Sequence, residues 1–183
     1  MPAFDGTLAR WFHDHHGIAG TAALSQLGLS PDQRQRLVHE GVFDVLFEGV
    51  YHLMSTPLDF EGRCAAVCAA DPSLVLSCFT AGRLAGLRRC GSEFIHAMTD
   101  RITKPVGPRV KLHRTRVLPD EHIVARPDGI RLTTPERTFF DLAKHVSDLT
   151  LISVGEQIIK EGLATYESLA ATARTLSSRG RPG

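Results

Sequence analysis

The side chains best suited to chemistry lie close together in residues 30–36. This segment reads SPDQRQR and holds two glutamines and two arginines. A glutamine can form two hydrogen bonds with the edge of adenine, and an arginine can bind guanine or a phosphate group. Polar residues also cover the outer face of ordinary surface helices, so the meaning of the segment depends on the elements that position it.

Capping signals around this segment predict two short helices joined by a tight turn. Thr21 is a suitable cap for the first helix, and Gly28 ends it because glycine accepts the left-handed backbone conformation. Ser30 caps the second helix, where Pro31 takes the first position without losing a hydrogen bond, and Gly41 ends it. The polar segment therefore occupies the first turns of the second helix.

A β-hairpin is predicted after the second helix. Residues 42–47 and 50–53 are β-prone runs, and the Glu48-Gly49 pair between them is a two-residue hairpin signal. Two short helices and a hairpin form the winged helix-turn-helix pattern, in which the second helix can lie in the DNA major groove. The residues from which we expect DNA contacts are Thr21, Ser30, Gln33, Gln35, Arg36 and His52.

Four short motifs in this region carry a family resemblance. They are the LGLS turn at 27–30, the arginine-bearing helix at 34–38, Gly41, and the GVY sequence at 49–51. Together they resemble the N-terminal domain of AbiEi-type antitoxins, the DNA-binding proteins of a bacterial toxin–antitoxin system. The resemblance implies a transcriptional repressor that binds its own operator DNA.

Two later motifs extend the resemblance along the chain. SCFTAGRLAGL at 77–87 is similar to the segment that follows the winged helix in this family, and LTTPERTFFDLAKH at 132–145 resembles the signature of its second domain. Arg137 and Asp141 are four residues apart in that signature, so they can pair across one helical turn, and we expect them to clamp a neighbouring element. The resemblance also implies a partner, a cognate AbiEii-like nucleotidyltransferase toxin.

Two domains are predicted, a winged helix-turn-helix domain at 1–58 and a C-terminal AbiEi-like domain at 59–183, with Pro57 in the linker. The second domain has several helical segments, and its strand signals lie at 93–99, 109–118, 122–125 and 130–133. Because proline-containing breaks separate these strands, we expect a small antiparallel sheet. The predicted fold class is therefore α+β.

The charges are distributed unevenly, although the formal net charge is only +1. Residues 1–60 hold three Lys/Arg and seven Asp/Glu, a net charge of −4, whereas residues 83–131 hold eleven Lys/Arg and five Asp/Glu, a net charge of +6. Since phosphate neutralisation supplies much of the affinity for DNA, the first domain alone should bind DNA weakly, and a homodimer or the second domain must help. The residues suited to phosphates or to an acidic protein surface are Arg109, Lys111, Arg114 and Arg116.

The sequence predicts neither a metal or cofactor site nor a catalytic centre. The histidines at 13, 15 and 16 point in different directions from one helix, and no second cluster supplies further ligands, so we expect them to be solvated. The sequence shows no nucleophile with an identifiable base and no glycine-rich phosphate loop. It also shows no paired carboxylates in a recognisable setting, so an enzyme is not expected. The cysteines that we expect to be small buried residues are Cys64, Cys68, Cys78 and Cys90.

Three functional classes remain open at this point. The first is an antitoxin that represses its own operon, the second an antitoxin that binds its toxin directly, and the third an enzyme that modifies the toxin. The absence of a nucleophile motif makes the third class the weakest. No run of about 18 apolar residues is present for a membrane span, so a cytoplasmic protein without a membrane partner is expected.

Overall fold

The structure is a computed structural model that describes residues 6–104 and 106–178. The chain divides into two compact units. The first unit runs to Pro72 and includes the segment Arg126–Ile130, and the second holds Ser73–Ala125 and the residues from Arg131 onward. Helices and short strands occur in both units, which confirms the predicted α+β class. No described helix is long and apolar enough to cross a membrane.

The first unit contains the predicted helices, turn and hairpin. Its elements are α1 (Gly6–Asp14), β1 (Ile18–Gly20), α2 (Thr21–Gln26), α3 (Pro31–His39), β2 (Phe43–Phe47), β3 (Val50–Leu53) and α4 (Phe60–Ala70). The strands form an antiparallel sheet in the order β1-β3-β2. The helices α1, α2 and α3 and the three-stranded sheet, whose last two strands are joined by a tight turn, follow the order of elements in a winged helix.

The core of the first unit lies between α1, α2 and the sheet. Phe12 of α1 and Leu24 of α2 are fully buried, and Phe43 of β2 is 2% exposed. The rings of Phe12 and Phe43 lie with their centroids 5.3 Å apart. These apolar contacts fix the positions of α2 and of the sheet. Leu37 and Val38 of α3 pack against the same core, so the opposite face of α3 is left to solvent.

The first unit extends past the predicted boundary at residue 58. The reason is α4, which packs on β1 and β3 instead of joining the second unit. Small residues allow the close approach, since a Cβ at Gly62 would lie 3.2 Å from the carbonyl oxygen of His16. The apolar face of α4, which includes the buried Cys64 and Cys68, could have covered either domain, so its sequence did not decide the boundary.

The second unit is built around a five-stranded sheet. Its elements are β4 (Val75–Leu76), α5 (Cys78–Leu84), β5 (Ile95–Thr99), β6 (Val110–Arg114), a 3₁₀ turn (Asp120–His122), β7 (Ile123–Ala125), β8 (Arg131–Thr133), α6 (Pro135–Leu142), α7 (Asp148–Lys160) and α8 (Tyr166–Ser178). The strand order is β6-β5-β4-β8-β7. The pairs β5/β6 and β4/β8 are parallel.

The prediction that this sheet is antiparallel was therefore wrong. One cause is β4, a buried two-residue strand at the centre of the sheet that the sequence did not predict, and the other is the parallel pairing of β5 with β6. Such a strand is too short to show a periodic pattern, and β4 brings together strands that are distant in sequence. The start of α6 is capped, because Thr134 Oγ1 accepts a hydrogen bond from Arg137 N and Pro135 takes the first helical position.

Candidate nucleic-acid interface and a cysteine–histidine cluster

The start of α3 is held by a reciprocal pair of hydrogen bonds. Gln33 N donates to Ser30 Oγ over 3.2 Å, and Ser30 N donates to Gln33 Oε1 over 2.8 Å. This capping box satisfies two backbone donors at the helix end and confirms the predicted cap. Gln33 is half-buried and its amide oxygen holds the helix, so Gln33 positions α3 more than it projects from it.

The outer face of α3 is polar and exposed. Asp32, Gln35 and Arg36 are all exposed there. Arg36 Nε lies 3.3 Å from Glu40 Oε1, and both side chains are 49% exposed. An exposed ion pair of this kind contributes at most about 1 kcal/mol, so the guanidinium of Arg36 can leave Glu40 for a phosphate or a base. Gln35 and Arg36 are thus the members of the predicted DNA-contact set that project from this exposed face.

Arg34 faces the opposite way and joins α3 to α2. Its side chain is buried, 6% exposed. One guanidinium nitrogen, NH1, donates to Ser25 Oγ at 2.8 Å, to the carbonyl oxygen of Leu29 at 3.2 Å and to that of Thr21 at 3.4 Å. These bonds fix the angle between the two helices, and the arginine's role is packing.

Thr21 does not cap α2 as the sequence suggested. The N-cap is Gly20, which has no side-chain cap. Thr21 Oγ1 instead donates to the carbonyl oxygen of Gly49 at 3.1 Å, and Thr21 N donates to the same oxygen at 2.8 Å. Gly49 adopts a positive φ of 74° in the predicted hairpin turn. The two hydrogen bonds therefore attach the turn of the hairpin to the start of α2.

His52 is buried in the central strand of the sheet and cannot contact DNA in this fold. It lies in β3, between Ile18 of β1 and Asp44 of β2, and is 6% exposed. Its Nε2 has no hydrogen-bond partner among the described residues. The assignment of His52 to the interface was wrong because the side chain is buried on the face of the sheet opposite to Tyr51 and Leu53, the residues of β3 that join the core with Phe43.

A strip of basic side chains lies along the edge of the second unit's sheet. Lys111 and Arg114 belong to β6, which is an edge strand, and Arg109 and Arg116 flank it. All four side chains are exposed. Their positive charges are therefore accessible from solvent, and their assignment to phosphates or to an acidic protein surface stays a prediction.

Arg137 is a buried clamp, as the motif suggested. It is fully buried, and its Nε donates to both carboxylate oxygens of Asp141 at 3.1 and 3.0 Å. NH1 donates to the carbonyl oxygen of Val117 at 2.7 Å, and NH2 donates to Thr115 Oγ1 at 3.3 Å. The guanidinium thus ties α6 to the segment that follows β6.

Sequence reasoning missed a cluster formed by Cys78, His96 and His113 in the second unit. Ser77 N donates to the carbonyl oxygen of His96 at 2.9 Å, which places the next residue, Cys78, beside β5. His113 lies on β6, which is parallel to β5, and Met98 is its register partner. The period of two puts His96, two residues before Met98, on the same face as His113. The ring atoms His96 Nδ1 and His113 Nε2 are 3.0 Å apart.

Burial favours the neutral form of both imidazoles in this cluster. Burial and then the neighbouring His113 lower the pKa of His96 to about 4. Burial and then the nearby His145 lower the pKa of His113 below its ordinary value. No local spacing in the sequence indicates the cluster, because its members are far apart in the chain. The parallel pairing of β5 and β6 brings the two histidines together, and the hydrogen bond between Ser77 N and the carbonyl oxygen of His96 brings Cys78 to them. The only hint in the sequence was that His96 and His113 both lie in segments predicted to be strands.

A second group of ligand-type residues lies in the first unit, where its carboxylates are already paired with an arginine. His16 Nε2 lies 2.9 Å from Asp128 Oδ2 and 3.4 Å from Glu61 Oε2. Arg126 NH2 contacts the same two carboxylate oxygens. Because the guanidinium already provides positive charge to these oxygens, a metal ion would have to compete with it. The group is an ion-pair network.

The prediction that the histidines of this region are solvated holds for His13, which is exposed. It was wrong for His16, which joins the ion-pair network, and for His15, which is half-buried. The ring of His15 stacks on Trp11 at a centroid distance of 3.7 Å. The chain turns sharply after α1, where His16 takes a φ of 54°, so adjacent histidines acquire different surroundings.

Comparison with known proteins supports the fold. No family model matches the chain, and no curated protein matches it. Among solved structures, the chain is similar to the crystal structure of the RV2827C protein from Mycobacterium tuberculosis, with a TM-score of 0.62 and 16% sequence identity. The match covers 95% of this chain and 71% of that one. At this level of identity the likeness extends to the fold alone.

Proposed function

We propose that this chain is a DNA-binding antitoxin of the AbiEi type, which represses its own operon and counteracts a nucleotidyltransferase toxin in the cytoplasm. The observation that carries the proposal is the exposed polar face of α3 within a winged-helix arrangement. A capped helix with Gln35 and Arg36 on its solvent side is the element that such folds place in the major groove. The role is one of binding and includes no catalytic step.

The charge of the first unit sets a condition on this proposal. Residues 1–60 carry a net charge of −4, so α3 can supply base contacts but little general attraction to phosphates. Three of the seven acidic residues lie in α3, at its C-cap and in the hairpin turn, namely Asp32, Glu40 and Glu48. We therefore assign phosphate contacts to the basic strip of Arg109, Lys111, Arg114 and Arg116, acting together with α3 or from a second copy of the chain.

A gel-shift assay against the chain's own promoter tests the assignment of α3. The variant combines Gln35→Ala and Arg36→Ala, which remove groups from the exposed face, and it keeps Gln33 because Gln33 supports the cap. Arg174→Ala is the matched control, since it removes an exposed arginine from α8 in the second unit. We expect the double variant to lose specific binding by about tenfold or more and the control to bind like wild type. Equal binding by wild type and the double variant would contradict the assignment.

The basic strip favours a second candidate function, direct contact with the toxin. Four exposed positive side chains on and beside one edge strand fit an acidic protein surface as well as a phosphate backbone. On this alternative the chain neutralises its toxin by covering it, and DNA binding contributes little. In the first candidate function the four residues contact DNA phosphates, and in the second they contact the toxin.

Charge reversal in the strip separates these candidates. Lys111→Glu with Arg114→Glu is tested in two assays, the gel shift and a pull-down with the toxin encoded beside this chain. Loss of the shift with toxin recovery unchanged supports phosphate contact, whereas loss of toxin recovery with an intact shift supports the direct contact. Mass measurement of the toxin after incubation with the chain and ATP adds a test of modification. An unchanged mass is expected for a binding protein.

A further inference from the structure

We propose that Cys78, His96 and His113 bind a divalent transition metal ion of the zinc type. One ligand atom from each residue, Cys78 Sγ and a ring nitrogen from each histidine, lies within 4.8 Å of the other two. Thiolate sulfur and imidazole nitrogen are the donors that Zn²⁺ prefers, whereas Ca²⁺ and Mg²⁺ take oxygen ligands. The donor set therefore selects a metal ion of borderline softness.

The spacing of the two histidines fits shared coordination. His96 Nδ1 and His113 Nε2 are 3.0 Å apart. Two nitrogens bound to one tetrahedral Zn²⁺ at about 2.0–2.1 Å would lie about 3.3 Å apart, so the rings need to separate by only a few tenths of an ångström. In the metal-free chain a hydrogen bond between the two rings accounts for their approach, and the thiol of Cys78 donates to the carbonyl oxygen of Asp141 over 3.9 Å.

Outer contacts hold the ligands in position. Ser92 Oγ lies 3.1 Å from His96 Nε2, so the second nitrogen of that ring has a partner while Nδ1 faces the cluster. Metal-binding histidines commonly have such a partner, which fixes the ring and its tautomer. Cys78 adopts a φ of 49°, a conformation that is uncommon for a residue with a side chain. The strand-to-helix turn holds this conformation and aims the start of α5 at β5.

One side of the cluster is open to solvent. Cys78 and His96 are 2% and 4% exposed, but His113 is only half-buried, and the exposed His145 lies beyond it with ring centroids 5.5 Å apart. A metal ion can enter past His113, and a water molecule can fill the fourth position there. Lys111 is the nearby positive charge that opposes binding, and the Cys78 thiolate formed on binding offsets it. The thiol proton passes to solvent, so binding releases a proton.

A titration of the purified full chain with Co²⁺ tests this site. Cobalt replaces zinc in thiolate sites and shows a sulfur-to-metal charge-transfer band in the near ultraviolet. We expect wild type to show the band at one ion per chain and to lose it when Zn²⁺ is added. Cys78→Ser should abolish the band, while Cys64→Ser, which changes another buried cysteine, should retain it.

Three histidine variants and one serine variant complete the test. His96→Ala and His113→Ala should weaken Zn²⁺ binding more than Ser92→Ala, which removes only the outer partner and should cost about tenfold to a hundredfold. His145→Ala should leave the affinity unchanged. Circular dichroism of each variant excludes unfolding, and proton release measured with a pH indicator gives a second readout of thiolate formation in wild type.

Two results would overturn the metal site. One is a wild-type chain that shows no thiolate band and no Zn²⁺ binding. The other is a band that survives Cys78→Ser or disappears in Cys64→Ser. The outcome does not depend on the proposed function, because the site lies in the second unit and Cys78→Ser leaves the exposed face of α3 intact.

Discussion

Arg137 shows at the residue scale what a sequence motif can and cannot reveal. The spacing of four residues predicted its ion pair with Asp141. Because an exposed ion pair adds little to the free energy of unfolding, a clamp on a neighbouring element was the favoured role. The clamp's other partners, the carbonyl oxygen of Val117 and the hydroxyl of Thr115, lie about twenty residues earlier in the chain. They meet Arg137 only because the segment after β6 passes beside α6, which no local pattern encodes.

Removal of Asp141 should therefore destabilise the chain strongly. Asp141→Ala leaves the buried guanidinium of Arg137 without its carboxylate, and we expect the free energy of unfolding to fall by about 3–5 kcal/mol. Urea unfolding followed by circular dichroism measures this change. Glu40→Ala is the control, because it breaks the exposed pair with Arg36 and should cost less than about 1 kcal/mol. If both variants lost a similar free energy of unfolding, the buried pair of Arg137 and Asp141 would contribute no more to stability than the exposed pair.

Buried histidines should make stability depend on pH. Burial and then the adjacent guanidinium of Arg137 lower the pKa of His122. Below about pH 6.5 the unfolded chain binds more protons at this residue than the folded chain, so the free energy of unfolding falls as the pH falls. Denaturant unfolding between pH 7 and pH 5, with a chelator present, should show this decline. His122→Asn should make the decline shallower, and an unchanged slope would refute the contribution of His122.

The hairpin turn of the winged unit is the clearest success at the element scale. The Glu48-Gly49 signal, the capping pattern of Ser30 and Pro31 and the glycine after α2 all predicted the observed elements because each acts within a few residues. The central strand β4 and the parallel pairing of β5 with β6 were missed, since both depend on residues distant in sequence. The same distance explains why the Cys78, His96 and His113 cluster was not found.

A side chain at Gly49 should weaken the hairpin turn. This residue has a φ of 74°, and a Cβ there would lie 3.0 Å from Thr21 Oγ1. We expect Gly49→Ala to lower the free energy of unfolding by about 1–2 kcal/mol, the cost of a left-handed conformation with a side chain. Gly91→Ala is the control, because a Cβ at Gly91 meets nothing within 4 Å. Thermal unfolding of both variants checks the difference, and equal midpoints would contradict it.

At the scale of the whole molecule, the proposed DNA-binding function has to be consistent with an uneven distribution of charge. The acidic first unit carries the candidate reading helix, and the basic strip lies in the second unit. Affinity for promoter DNA should therefore fall steeply with salt. Lys111→Ala with Arg114→Ala should reduce the slope of log affinity against log salt by up to about 0.9 for each lost phosphate contact. Fluorescence anisotropy at several salt concentrations measures the slope, and an unchanged slope would exclude the strip from DNA contact.

Hydrogen–deuterium exchange of the full chain with and without its promoter DNA tests the central claim most directly. The claim is that α3 is the element that reads DNA and that the hairpin turn lies beside it. The account predicts slower exchange in peptides covering α3 and the Glu48-Gly49 turn, unchanged exchange in α8, and no effect from DNA of scrambled sequence. Protection that is absent from α3, or that scrambled DNA produces equally, would contradict the account.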